Sequence, residues 1–134
     1  MSDSLLNKTA LRKYTFEALA RVRPGLVGKM TRVGDDFFVK MEARLRSRII
    51  NDGKEANGGE LKTLRPTEPV NRPEDMEWLL NQSNVREYAL RTMALTCPDL
   101  TQISGDYAAS LDIFLRRAID GYLDAMSSAG KTIS

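Results

Sequence analysis

There is no histidine in this chain of 134 residues, and only one cysteine, Cys97. The first absence removes the usual general base and the usual nitrogen ligand of zinc; the second rules out an internal disulfide framework. A serine–histidine hydrolase and a structural zinc site are therefore not expected. A single thiol fits a reducing compartment. The apolar runs are only a few residues long, too short to cross a bilayer, and Met1 to Asn7 lacks the basic start and long apolar core of a signal peptide. Five prolines and nine glycines are too few to predict disorder throughout.

What is present is an ordinary globular balance, 42% hydrophobic and 28% charged residues, with a formal charge of +2. That small sum hides an asymmetry. Residues 1–67 carry 14 Lys and Arg against 8 Asp and Glu, a net +6; residues 68–134 carry 6 against 10, a net −4. A basic first half points to a polyanionic partner there. The acidic second half has to concentrate its few cations locally.

The strongest pattern runs from Cys97 to Ser134. A short loop leads into a predicted helix over Gly105 to Ser127, and a second loop carries Gly130-Lys131-Thr132-Ile133. Ile103, Tyr107, Leu111, Phe114, Leu115, Ala118, Ile119, Tyr122, Leu123 and Met126 recur at threes and fours, one wide apolar stripe. Such a stripe suits a central helix gripped on two sides. Upstream, residues 1–8 read as a flexible tail. Thr9 to Val22 reads as a helix capped by Thr9 and stopped by Pro24-Gly25. Met30 to Asn51 reads as a long helix, with Met30, Val33, Phe37, Phe38, Met41, Leu45, Ile49 and Ile50 inside and Lys40, Arg44, Arg46 and Arg48 outside. The last three are solvated or paired with acids. Asn57-Gly58-Gly59 breaks the pattern, and Leu61 to Leu64 reads as a short extended piece. A short helix from Asn71 or Arg72 to Leu80, with Pro73 in its first turn, and another from Val85 to Leu95, capped by Ser83 or Asn84, complete the pass.

The order helix, proline loop, long helix, glycine loop, Lys-Thr piece thus occurs twice. Pro24 and Pro98 are 74 residues apart, and the same offset relates Val33 to Tyr107, Phe37 to Leu111, Met41 to Leu115 and Leu45 to Ile119. Gly59 to Leu64 answers to Gly130 to Ile133. The expected units are residues 9–82 and 83–134.

Helix, loop, long helix, loop, helix in tandem resembles the histone fold as a doublet on one chain. Tyr14 to Leu64, with Leu19-x-x-Val22-x-Pro24 leading into the long helix, resembles histone two-B. Ser104-Gly105-Asp106-Tyr107-Ala108-Ala109-Ser110-Leu111-Asp112-Ile113-Phe114-Leu115 resembles the opening of the central helix of histone two-A. The order two-B then two-A is that of the fused histone doublets of large DNA viruses. The likeness covers about residues 12–134, with the second copy stopping where a third helix is expected.

This resemblance implies an all-α fold of two tandem histone folds forming an intramolecular pseudo-dimer. Its core pairing would use Phe37, Phe38, Met41, Leu45, Tyr107, Leu111, Phe114, Leu115, Ile119 and Tyr122. It implies sequence-nonspecific binding of double-stranded DNA and assembly with other histones or doublets in a nucleosome-like particle. No enzyme activity, cofactor, metal, membrane or small-molecule substrate is implied. The location would be a virion, viral factory or nucleus. One phosphate-binding junction would combine Lys29, Met30, Thr31 and Arg32 with Lys131 and Thr132. The other would combine Thr101, Gln102 and Ser104 with Lys62, Thr63 and Arg65. Arg21 and Arg23 would add phosphate or minor-groove contacts, and Asp112, Asp120 and Asp124 an acidic face for partners.

Other readings stay open. A histone-fold module can bind proteins rather than DNA, and a helical interaction protein of another kind would share the same stripes. Gly130-Lys131-Thr132 lacks the upstream glycines and following helix of a nucleotide-binding loop. Asp35-Asp36 is an acidic pair at a helix start, favoured there by the dipole, with a metal role as the alternative. Cys97 reads as a packed thiol and Trp78 as core or as an anchor for a neighbouring subunit.

Overall fold

The two apolar stripes become two long helices that cross in the core of a computed structural model. It describes residues 4–57, 62–66, 70–73, 75–126 and 130–134. The described chain is mostly helical. Its elements are α1 (Lys8–Val22), β1 (Arg32–Val33), α2 (Asp35–Ala56), β2 (Thr63–Leu64), α3 (Gln82–Thr96), β3 (Gln102–Ile103), α4 (Tyr107–Ala125) and β4 (Thr132–Ile133), with one 3-10 turn, Pro24–Leu26, after α1. α4 packs against α1, α2 and α3, which accounts for the width of its stripe. No described helix is long and apolar enough to cross a membrane.

The strands are two residues each, but their pairing fixes the topology. β1 pairs in parallel with β4, and β2 in parallel with β3. First loop therefore meets last loop, and the two middle segments meet each other. At one end the amides of Thr31 and Arg32 donate to the Lys131 carbonyl (2.8 and 3.1 Å), and Gly34 N–H to Ile133 (2.8 Å). At the other, Thr101 and Gln102 donate to Lys62 (2.8 and 3.1 Å), and Ser104 N–H to Leu64 (2.9 Å). The two ladders superimpose group for group. Gly130 enters β4 at φ +87°, a left-handed turn that glycine adopts without steric cost. A Cβ at Gly34 would sit 3.1 Å from the Thr132 methyl, so the strands approach closely there.

The duplication is closer than the sequence reading expected, and its register differs. α1 and α3 are related by the expected 74 residues. Asn7 and Asn81 cap them alike, each accepting from the amide three residues on, at 3.3 and 3.1 Å. The strands β1 and β3, however, are 70 residues apart. So are the buried rows of the long helices: Phe37 with Tyr107, Met41 with Leu111, Leu45 with Leu115 and Ile49 with Ile119. The expected offset of 74 in this region is therefore one turn out. The loop after Pro24 is four residues longer than the loop after Pro98, and a four-residue slip returns a helix to nearly the same face. Periodicity cannot detect it.

Several expected boundaries move. The long helix α2 begins at Asp35, not Met30. Met30 is buried in the loop, and Val33 belongs to β1. Asn7 replaces Thr9 as cap of α1, and Asn81 replaces Ser83 or Asn84 as cap of α3. The short helix expected over residues 71–80 is absent among the described residues. Arg72 turns inward there, and Leu80 forms an antiparallel bridge with Leu6. Residues 4–8 are not a tail either. Leu5 and Leu6 are buried, Asn7 N–H donates to Leu79 O (2.9 Å), and Asn81 N–H donates to Leu5 O (2.8 Å). Leu5-Leu6-Asn7 and Leu79-Leu80-Asn81 thus start the two copies as a matched pair, so residues 79–82 open the second unit rather than close the first. Gly58, Gly59 and the expected start of the Leu61 piece lie outside the described residues.

Of the expected core, Phe37, Phe38, Met41, Leu45, Tyr107, Leu111, Leu115 and Ile119 are buried, and Phe114 and Tyr122 are half-buried against them. Burying a large apolar side chain contributes roughly 1.5–3 kcal/mol, offset by the entropy of ordering the chain. Trp78 is half-buried against the same core. Cys97 is buried, its sulfur 3.3 Å from where a Cβ on Gly53 would stand.

Candidate nucleic-acid interface

The strand pairings bring the expected loop residues together at two junctions. Lys29, Thr31 and Arg32 meet Lys131 and Thr132 at the β1–β4 end; Thr101, Gln102 and Ser104 meet Lys62, Thr63 and Arg65 at the β2–β3 end. Lys29, Thr31, Arg32, Lys131 and Thr132 are exposed, as are Lys62, Arg65, Thr101 and Gln102. Met30 is buried and offers its neighbours support rather than contact.

The chemistry each junction presents differs from expectation in one respect. The amides of Thr31, Arg32, Thr101 and Gln102 are consumed by the cross-loop ladders, so they are closed to phosphate. What remains outward is side chain: ammonium, guanidinium and hydroxyl groups. At the β2–β3 end even these are partly engaged. Thr63 Oγ1 donates to Gln102 Oε1 (3.3 Å), and Ser104 Oγ to Asp106 Oδ1 (2.7 Å).

Arg21 and Arg23 are also engaged, Arg21 by an ion pair at the surface and Arg23 within the fold. Arg21 Nη2 lies 2.9 Å from Asp120 Oδ1 and 3.3 Å from the Tyr14 hydroxyl. The hydrogen bond and charge of Asp120 hold the guanidinium above its ordinary range. The Tyr14 hydroxyl donates to Asp120 (2.8 Å), and burial followed by that carboxylate pushes its pKa up to about 12. Arg23 Nη1 donates to the carbonyls of Leu123 (3.3 Å) and Met126 (2.6 Å), capping the C-terminal end of α4. A cation at a helix C-terminus satisfies free carbonyls and opposes the dipole. Arg23 is therefore a cap within the fold, and Arg21 one arm of an ion pair.

The expected acidic face is corrected too. Asp112 is fully buried and accepts from Leu79 N–H (2.8 Å), Arg72 Nε (3.0 Å) and Arg116 Nε (3.0 Å). Asp120 is paired with Arg21, leaving Asp124 exposed. A helix-wheel reading cannot distinguish a solvated aspartate from one met by an incoming arginine. Arg46 and Arg48 pair with Glu42 and Asp52, as one of the two expected alternatives had it.

No family model, curated protein or solved structure matches this chain.

Two cations that sequence reasoning left out stand beside the first junction. Lys8 Nζ and the Arg12 guanidinium lie 5.8 and 5.9 Å from the ring centre of Phe38. Arg12 also lines a shallow cleft with Phe16, Thr31, Arg32 and Val33. The signal was available: on α1, Lys8 and Arg12 are one turn apart on a solvent-facing stripe. Among the described residues no group of three or more His, Cys, Asp or Glu side chains could hold a metal ion.

Proposed function

We propose that this chain is a histone-fold doublet that binds double-stranded DNA without sequence preference and compacts it together with other histones. The observation that carries the reading is the reciprocal loop pairing, β1 with β4 and β2 with β3. Two helix–loop–long helix–loop units related by a pseudo-dyad give this pairing when their long helices cross head to tail. Each junction then gathers cations from both halves of the chain. That is why a modest net charge still supports polyanion binding. Contacts of this kind position DNA and carry little base information.

Fusing the copies makes their pairing intramolecular, with an effective concentration of about millimolar or more. Neither unit then exposes its apolar long helix. Arg21 and Arg23 drop out of the proposed contact set because the fold already uses them. The set becomes Lys29, Thr31, Arg32, Lys131 and Thr132 at one end and Lys62, Thr63, Arg65, Thr101, Gln102 and Ser104 at the other. A viral origin and a place in a nucleosome-like particle belong to the same proposal.

The engagement of Arg23 and Asp112 inside the fold, and of Arg21 by Asp120 at the surface, favours a second reading, a histone-fold module that binds proteins and little DNA. Salt titration separates the two. Neutralising about six phosphates gives a slope of log affinity against log salt near −5. A slope near zero favours the protein-binding module. Nuclease protection of DNA mixed with the protein, alone and with added histones, then separates wrapping from bridging.

A further inference from the structure

The two copies match closely in backbone, so their surfaces can be compared position by position. The cations do not match. Around the β1–β4 end, α1 contributes Lys8 and Arg12, and β1 contributes Arg32. The equivalent positions at the β2–β3 end are Gln82, Arg86 and Gln102. The Phe38 ring that lies under Lys8 and Arg12 is replaced by Ala108, and Phe16 by Leu90. Lys13, one residue on from Arg12, becomes Glu87. Both ends carry carboxylates, Asp35 and Asp36 at one and Asp99 and Asp106 at the other. These do not cancel the difference.

The first end also has a shape to receive a ligand. A cleft of about 320 Å³ opens between α1 and β1, lined by Arg12, Phe16, Thr31, Arg32 and Val33. Its walls are two guanidinium-bearing residues, a hydroxyl and apolar backing. Guanidinium groups borne on two different elements suit a phosphodiester, which offers two anionic oxygens to separate donors.

We infer that the Arg12–Arg32 cleft is a phosphodiester-binding site whose arginine pair has no equivalent among the described residues of the second half, where Arg86 and Gln102 hold the matched positions, and that it makes the grip on DNA unequal between the two ends. This rests on the DNA-binding reading above. Duplex is held more tightly at the β1–β4 end than at the β2–β3 end.

The test uses the full chain, a fluorescent duplex of mixed sequence, and anisotropy titrations at several salt concentrations. Two double variants are compared, R12Q/R32Q at the first end and R65Q/R86Q at the second, each removing two charges. The first pair is expected to lower the magnitude of the salt slope by about 1.8 and the affinity roughly 10- to 30-fold at 0.15 M salt; the second pair is expected to cost less than about threefold. R12K/R32K should recover part of the slope but not all of the affinity, since ammonium cannot bridge two oxygens as guanidinium does. All four positions are exposed, and circular dichroism melting checks that the fold is intact. Equal losses for the two pairs, or a larger loss for the second, would overturn the inference while leaving DNA binding in place. A wild-type slope near zero would sink the DNA-binding reading and this inference with it.

Discussion

Each long helix carries an acid that ties down the segment entering its own copy, and the two ties are unequal. In α2, Glu42 accepts from Ser4 Oγ (2.9 Å) and Leu5 N–H (2.8 Å), with Arg46 at 3.4 Å. In α4, at the equivalent position, Asp112 accepts from Leu79 N–H, Arg116 and additionally Arg72. The two helix arginines match as well: Arg46 stacks on Tyr88 at 4.5 Å and Arg116 on Tyr14 at 4.7 Å. Yet the Glu42 side chain is 24% exposed and that of Asp112 is 0%. Arg72 makes the difference. It belongs to the connection between the copies, stacks 3.7 Å from the ring centre of Trp78, and also donates to Met76 O (2.6 Å). A duplicated contact has become a buried charge cluster on the side where the chain had to cross over.

Breaking the tight tie should have the largest effect. Asp112→Ala leaves Arg72, 4% exposed, and Arg116, 16% exposed, without their carboxylate, and leaves the Leu79 amide without an acceptor. Removing one partner of a buried pair costs about 3–5 kcal/mol, read from the urea midpoint at constant m. A loss under about 1 kcal/mol would mean that the cluster is hydrated and the comparison misplaced. Arg72→Ala comes next, at about 2–3 kcal/mol, because Asp112 retains Arg116 while the stacking on Trp78 is lost. Arg72→Ala should also speed proteolysis of residues 70–80, since Arg72 anchors that segment.

Much of this architecture was legible in the sequence, and what was missed has identifiable causes. The apolar rows of α2 and α4 announce themselves through period, and the Lys-Thr pieces through repetition. The short helix expected at 71–80 rested on Met76, Trp78, Leu79 and Leu80. Trp78, Leu79 and Leu80 do pack, but along an irregular path held by a tertiary ion pair that no local pattern encodes. The matched starts Leu5-Leu6-Asn7 and Leu79-Leu80-Asn81 were in plain view, followed at equal spacing by Arg12 with Arg86 and Tyr14 with Tyr88. Reading residues 1–8 as a tail hid them. In the candidate interface, loop membership could be read from the repeat. Whether Arg21, Arg23 and Asp112 were free could not, because each is engaged by a residue at least 33 positions away in sequence.

The looser tie should cost less when cut. Glu42→Ala removes the acceptor of Leu5 N–H and Ser4 Oγ, but at a site where water can replace it. About 1 kcal/mol is expected by the same urea measurement. The ratio between the Asp112 and Glu42 variants is the sharper quantity, since both remove one carboxylate from equivalent positions. A ratio near one would show that exposure and the extra arginine do not matter.

The smallest effect comes from a cluster present on one side only. Tyr14, Asp120 and Arg21 form a hydrogen-bonded group, whereas the equivalent positions hold Tyr88, Ile50 and Leu95. Tyr14 titrates at about 12 in the folded chain against an ordinary value of 10. Between those values the unfolded chain gives up a proton that the native chain keeps, so unfolding free energy falls as pH rises; below pH 10 both states hold the proton and the contribution is fully present. Tyr107, buried and donating to Asp52 at 2.8 Å, is shifted in the same direction and adds to the fall. Tyr14→Phe should therefore flatten the loss of thermal stability from pH 10 to 12 in part, and leave its slope between pH 7 and 9 unchanged. Tyr88→Phe, which touches no acid at the equivalent place, serves as the control for removing a hydroxyl from the same helix face. If the two variants flatten the alkaline limb equally, the one-sided cluster has no energetic weight, and the pseudo-symmetry extends further into the electrostatics than the side chains suggest.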